Sequence, residues 1–214
     1  MPLLLLDLDN TLIDRDAAFR SAMAAFLAEH GLPADELAWI MSVDDDGYAP
    51  RATVASALTH RYRDQVSPAA VQDVLDRGAA DRVTLADPVR TALVEATRAG
   101  WTPVVVTNGR TVQQTRKIRR TGLDTLVDGW TVSEAVGHKK PSPEIFHAAA
   151  AGRPLRQAWM VGDAARTDIA GAAALGLRSV WLARGRAWQE QEYAPTHIAE
   201  GVVAAIGHVV GVGW

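Results

Sequence analysis

Four short polar clusters in this 214-residue chain hold most of the residue types able to do chemistry. They are Asp7-Leu8-Asp9-Asn10-Thr11, Thr107-Asn108-Gly109, Lys139-Lys140-Pro141, and Gly162-Asp163 with Asp168 beyond it. The acids of the first and last clusters offer hard carboxylate oxygens, the ligand type that magnesium prefers. Such acids also serve as nucleophiles or as proton donors and acceptors. The lysines bring positive charge. The Thr107 hydroxyl and the amides around Asn108 and Gly109 can donate to an oxyanion. Taken singly, each cluster has a plainer reading. A lone Asp after a strand is usually a turn or a helix cap, and Asn-Gly alone favours a tight turn. The four weigh together only if the fold brings them together.

Each cluster falls just after a predicted strand. Leu3–Leu8 is a short apolar run of the kind that makes a buried parallel strand. Thr102–Val106 is β-branched, with Pro103 marking its start, and further strands are expected within Leu126–Val132, Ala158–Val161 and Ser179–Leu182. Helices are expected over Pro88–Ala99, Thr111–Arg120, Pro143–Ala150 and Ala164–Leu175, with a final one over Ile198–Val210. Strand–helix alternation implies a parallel sheet with helices on both faces, and in such sheets ligands bind beyond the carboxyl ends of the strands.

The stretch from Asp14 to about Thr84 reads differently, as helices only. Phe19, Met23, Phe26 and Leu27 share one face of a helix over Asp16–Glu29, and Gly31 is its stop. Pro33–Val43 and Thr53–Tyr62 follow, and Ser67-Pro68 is a cap with a first-turn proline. The expected organisation is a Rossmann-like, three-layer α/β core over residues 1–14 and 85–214, with an α-helical insertion over 15–84.

Composition narrows the class. Hydrophobic residues make up 48% and charged residues 22%, values of a soluble globular chain rather than a disordered one. With no cysteine, disulfides and thiolate zinc sites are excluded. The net charge of −3 carries no basic excess, so no nucleic-acid partner is expected. The opening apolar run is too short for a secretory signal and lacks a basic flank, and no stretch approaches the roughly 20 apolar residues of a membrane helix. The expected location is the cytoplasm, as a monomer or homodimer.

The four clusters, in this order and at strand ends, resemble the motifs of the haloacid dehalogenase superfamily of hydrolases. Asp7, Asp9 and Thr11 match its Asp-x-Asp-x-Thr; Thr107 matches the Ser or Thr that ends a strand; Lys140-Pro141 matches the lysine often found before proline; Asp163 and Asp168 match Gly-Asp and its following acid. The resemblance covers about residues 3 to 185. It implies that the helical insertion is a cap that closes over the site and reads the leaving group. It also implies a phosphatase rather than a dehalogenase, because dehalogenases lack an acid where Asp9 stands. The placement of the cap resembles phosphoglycolate phosphatase, sugar-phosphate phosphatases and nucleotidases.

Physical chemistry supports the same set. A carboxylate attacking a phosphate dianion at about 4 Å meets roughly 4 kcal/mol of repulsion per unit-charge pair at an effective dielectric near 20. A divalent cation reverses that sign. The expectation is a magnesium-dependent phosphatase acting on a small-molecule phosphate monoester. Asp7 is the nucleophile and forms an aspartyl-phosphate; Asp9 protonates the leaving group and later activates water. Mg2+ is held by Asp7, Asp163 and the main-chain carbonyl of Asp9. Lys140, Thr107, Asn108 and Gly109 face the phosphoryl group, and Asp168 supports the metal shell or Lys140. The alternatives are a sugar phosphomutase of the same fold and a non-catalytic binding protein.

Other chemically capable residues receive ordinary readings. Asp44-Asp45-Asp46 lacks EF-hand spacing and is expected to be a solvated loop, with Arg51 beyond it a candidate substrate contact. His138 and His147 are expected at the surface. Arg110, Arg116, Lys117, Arg119 and Arg120 are read as the solvated face of a basic helix. Trp39, Trp130, Trp159 and Trp181 fit internal packing, and Trp188 and Trp214 a surface.

Overall fold

The computed structural model describes residues 1–213. They divide into two compact units: Met1–Ile13 together with the chain from Thr84 onward, and Asp14–Val83.

The first unit is a Rossmann-like α/β fold. Its strands are β1 (Leu3–Leu6), β2 (Thr102–Thr107), β3 (Gly129–Val132), β4 (Trp159–Gly162), β5 (Arg178–Leu182) and β6 (His197–Ala199). They form one sheet in the order β3-β2-β1-β4-β5-β6, and every neighbouring pair is parallel. Helices cover both faces: α5 (Asp87–Arg98), α6 (Thr111–Thr121), the short α7 (Ser133–Val136), α8 (Pro143–Ala150), α9 (Ala170–Ala174) and α10 (Val202–Val212). A strand covered on both sides must be apolar on both, so all four leucines of β1 are fully buried. Leu3, Leu5, Val104, Val106 and Met160 share one core with Ile145, Phe146 and Ala149 of α8. Burying each such side chain contributes about 1.5–3 kcal/mol.

The order of the strands positions the chemistry. From β1 the chain runs outward through β2 and β3, then returns to the other side of β1 to make β4. Strand order therefore reverses at β1, and the carboxyl ends of β1, β2 and β4 lie side by side, the usual place for a ligand crevice. Leu6 pairs in register with Val105 on one side and Val161 on the other. Asp7, Thr107 and Asp163 thus leave three neighbouring strands.

Four expectations about this unit need correction. The last helix begins at Val202, not Ile198, because His197–Ala199 pairs with Val180–Leu182 as an edge strand and Gly201 separates the two in extended conformation. The β-branched content of that stretch belongs to both elements. The segment expected as one helix from Ala164 opens with a wider π-helical turn over Ala165–Ile169 before α9. Lys117 does not lie on a solvated face; it is buried. Pro103 is the second residue of β2, not its first, since the Thr102 amide already bonds to the Pro2 carbonyl at 2.9 Å. Trp101, Trp159 and Trp181 are buried, Trp188 is half-buried, and Trp214 lies outside the described residues. No helix of the described residues is long and apolar enough to cross a membrane.

The second unit contains α1 (Arg15–Glu29), α2 (Glu36–Asp44), α3 (Arg51–Arg61) and α4 (Pro68–Arg77) and no strand among the described residues. The Asp14 carboxylate accepts from the Ala17 amide at 2.9 Å and the Ser67 hydroxyl from the Ala70 amide at 3.2 Å, so α1 and α4 start on side-chain caps. Phe19, Met23, Phe26, Ile40, Leu58, Val71 and Leu75 are buried within it.

Asp44 departs from the expected solvated loop. It ends α2 with no exposure, because the Arg15 guanidinium grips both of its oxygens and Arg51 Nη1 reaches Oδ1 at 3.0 Å. Both guanidiniums also lie over the Phe19 ring, at 4.5 and 5.3 Å from its centre. Arg51 is therefore the partly exposed member of an ion cluster centred on buried Asp44. Asp44→Ala would leave Arg15 desolvated without its main partner, and breaking such a pair costs about 3–5 kcal/mol. A urea titration should show that loss, and a change under about 1 kcal/mol would contradict the structural role given to the cluster.

Candidate active site

Asp7 stands one residue past β1, its amide donating to the Val161 carbonyl of β4 at 3.0 Å. That bond fixes the residue between two strands and aims a nearly buried carboxylate at the strand ends. The Asp7 Oδ1 atom accepts from Lys140 Nζ at 2.6 Å. The same ammonium donates to the Val106 carbonyl at 2.7 Å and lies 2.7 Å from Asp168 Oδ1. Two of its three donors are thus bonded, and Asp168 is held as an ion pair. The lysine's own backbone is clamped in turn. Its amide donates to Asn108 Oδ1 at 2.8 Å, and its carbonyl accepts from Asn108 Nδ2 at 3.1 Å. Asn108 thus acts through its side chain, tying the end of β2 to Lys140. From sequence, only the backbone amide of Asn108 is expected at the site.

Asp163 follows β4. Its carboxylate lies 3.4 Å from Arg186 Nη2 and 3.8 Å from Arg184 Nη1, and its carbonyl accepts from Trp181 Nε1 at 2.9 Å. Asp168 returns from the π-helical turn so that its Oδ2 accepts the Ala164 amide at 3.1 Å. This approach explains Gly162: a Cβ at that position would overlap the Asp168 carboxylate. Asp7, Asp163 and Asp168 each place one carboxylate oxygen so that all three atoms lie within 4.8 Å of one another.

Lys140 pairs with Asp7 and Asp168 while Arg186 and Arg184 lie beside Asp163, and the balance shows in their proton affinities. Burial holds the Asp7 carboxyl well above the ordinary carboxylate range; Asp168 and Asp163 push the same way, and Lys140 opposes them. Burial, helped by Asp168, pushes Asp163 up to about 6 against the pull of Arg186, Arg184 and Lys140. For Lys140 burial disfavours the charge, but Asp168 and Asp7 outweigh it and the ammonium is held above its usual range. A cation among these oxygens would favour their ionised forms. The donors are hard oxygens at close range, so the set fits a magnesium ion.

Asp9 is set apart from these three acids. The turn that carries it is tight, with the Asn10 amide on the Ile13 carbonyl at 2.8 Å and Asn10 at φ 60°, a left-handed conformation that Asn tolerates. Its carboxylate is held by α6: Lys117 Nζ lies 2.8 and 2.7 Å from the two oxygens, and Gln114 Nε2 donates to Oδ2 at 2.9 Å. Gln114 also donates to Thr107 Oγ1 at 2.6 Å. The Gly109 amide donates to Ser133 Oγ at 3.0 Å, and Gly109 itself has φ 148°, with the Gln114 side chain 3.0 Å from where a Cβ would sit.

Sequence reasoning missed Gln114, Lys117, Ser133, Arg184 and Arg186. A signal for two of them existed. Gln114, Lys117, Ile118 and Thr121 recur at helical spacing as the buried stripe of α6, and polar residues on the buried side of the helix that follows Thr107 must find partners at the strand ends.

A family model described as haloacid dehalogenase-like hydrolase matches residues 1–176. The chain belongs to that family. Among related proteins, the pyrimidine 5'-nucleotidase YjjG of Escherichia coli is 38% identical over 112 residues, 51% of this chain and 50% of that protein. The glyceraldehyde 3-phosphate phosphatase of Pyrococcus abyssi is 34% identical over 99 residues, 45% of this chain and 42% of that protein. The chain spans about half the length of the curated relatives it matches. The magnesium-bound HAD-hydrolase YfnB of Bacillus subtilis superposes with a TM-score of 0.82 at 22% identity, covering 98% of each chain, and shows the shared fold.

Proposed function

We propose that this hydrolase cleaves small phosphate monoesters through a covalent aspartyl-phosphate on Asp7. The observation that carries the reading is the convergence of Asp7, Asp163 and Asp168 within 4.8 Å, with Lys140 paired to Asp7 and Asp168, at the switch point of the sheet. Asp7 and Asp163, with the Asp9 carbonyl, would hold Mg2+, and Asp168 would steady Lys140. When bound, the ion neutralises charge between the nucleophile and the phosphoryl oxygens.

In the first half-reaction an Asp7 oxygen bonds to phosphorus as the bond from phosphorus to the ester oxygen breaks. That oxygen leaves with a proton from Asp9. In the second, water attacks the phosphorus of the aspartyl-phosphate, Asp9 takes its proton, and the Asp7 carboxylate and inorganic phosphate separate. Lys140 orients Asp7 throughout and offsets its charge. Asp9 supports phosphatase chemistry over halide displacement, since a halide leaves without a proton. The nucleotidase and sugar-phosphate phosphatase names of the relatives support a small phosphorylated metabolite as substrate.

These groups address only the phosphoryl group, so we assign the choice among esters to the helical unit Asp14–Val83, acting as a cap. A panel of nucleotides, sugar phosphates and phosphorylated acids, assayed with Mg2+ for released phosphate, tests the activity; isomerised sugar phosphate without free phosphate would indicate a mutase instead. Exchanging the helical unit for that of a relative should reorder the natural esters while a small artificial ester changes by less than about threefold, as expected for binding remote from the reacting bond. An unchanged order would move specificity to the α/β unit.

A further inference from the structure

We propose that Lys117 is a positioning residue for Asp9, and that with Gln114 it fixes the proton-transfer carboxylate relative to Thr107. The proposal rests on the phosphatase reading above and adds to it a role for α6. Lys117 is 6% exposed, although it sits on a helix whose other basic residues, Arg116, Arg119 and Arg120, are at least partly exposed. An apolar side chain at this point of the stripe would pack beside Ile118 at lower cost than a charge, since a buried ion pair is seldom more stabilising than a hydrophobic replacement. The charge is explained by what it touches. Its ammonium lies within 2.8 Å of both Asp9 oxygens. Gln114, 2% exposed, links Asp9 Oδ2 to Thr107 Oγ1 through one nitrogen at 2.9 and 2.6 Å.

A carboxylate held at both oxygens has one orientation. Asp9 sits on a tight turn with its side chain 26% exposed, so the bonds from Lys117 and Gln114 bear directly on its orientation. Proton transfer needs the carboxylate within hydrogen-bond reach of the leaving oxygen, and a misplacement of about 1 Å can cost roughly 10²-fold. Lys117 is assigned no contact with the phosphoryl group or the leaving oxygen in this scheme; its effect passes through Asp9.

The test uses Lys117→Met and Lys117→Gln in the full chain with Mg2+. Single-turnover phosphoenzyme formation is measured with an alkyl phosphate and with p-nitrophenyl phosphate. The alkyl ester needs a proton on its leaving oxygen and the nitrophenolate hardly does. Lys117→Met should slow the alkyl ester about 10- to 100-fold and the nitrophenyl ester by less than about threefold, with KM for either ester nearly unchanged. Lys117→Gln keeps one donor facing Asp9 and should fall between Lys117→Met and the native chain; it carries the same comparison if Lys117→Met does not fold. In an Asp9→Asn background, removing Lys117 should cost less than about a further twofold, because the two residues act as one unit. Equal loss on both esters, or the full loss repeated in the Asp9→Asn background, would overturn the proposal and leave Lys117 a packing residue. A native chain that forms no phosphoenzyme with either ester would instead overturn the phosphatase reading, and the role of Lys117 with it.

Discussion

Asp7→Asn should abolish phosphoenzyme formation on every ester and lower turnover by on the order of 10⁴-fold or more, the scale seen when a nucleophile is removed. The substitution nearly keeps shape, so the main-chain bond from residue 7 to Val161 should persist. It removes one of three mutually repelling carboxylates. The buried Asp7 carboxyl is held well above its ordinary range by burial, Asp168 and Asp163. The variant should therefore melt no lower than the native chain in EDTA. An inactive variant that also melts well below the native protein would point to a structural loss rather than to a lost nucleophile.

Removal of magnesium should be equally complete in activity, and it leaves a second signature in stability. Asp7 and Asp163 are both shifted upward in the native state, Asp163 to about 6. Over the range between the ordinary carboxylate value and these native values, the folded state binds more protons than the unfolded chain. The sign follows from linkage: their contribution is fully present below about pH 4 and is lost as pH rises through the native values. A bound cation replaces the protons. The rise in melting temperature on adding Mg2+ should thus grow from about pH 5 to about pH 8. A rise that shrinks over that window, or full phosphatase activity in excess EDTA, would contradict the metal assignment.

Much of the α/β unit was legible because its strands are buried on both faces. Leu3–Leu6, Val104–Val106 and Trp159–Val161 are apolar runs flanked by helical periods, and Pro143–Ala150 carries its own proline start. The stretch at the edge of the sheet was less so. His197–Ala199 is only three residues long, and in sequence its alternation cannot be told from the start of the helix beyond it. The clusters at the strand ends were visible because parallel strands collect their polar residues where they stop. What they touch was not. Local spacing says nothing of the Asn108 clamp on Lys140, which joins residues 32 apart, or of the Lys117 hold on Asp9, which joins residues 108 apart. Asp44 misled for the same reason: in a run of three aspartates it reads as solvated, and its burial is explained by Arg15, 29 residues earlier, together with Arg51.

The most direct measurement is the position of the phosphoryl group during turnover. Asp9→Asn should slow water attack while leaving the Asp7 nucleophile intact, so a rapid acid quench of that variant with labelled p-nitrophenyl phosphate and Mg2+ should capture an acid-stable, hydroxylamine-sensitive acyl phosphate. Peptide mapping should place the label on Asp7, and the double variant Asp7→Asn/Asp9→Asn should carry none. Label on any other residue, or label retained in the double variant, would contradict the assignment of Asp7 as the nucleophile.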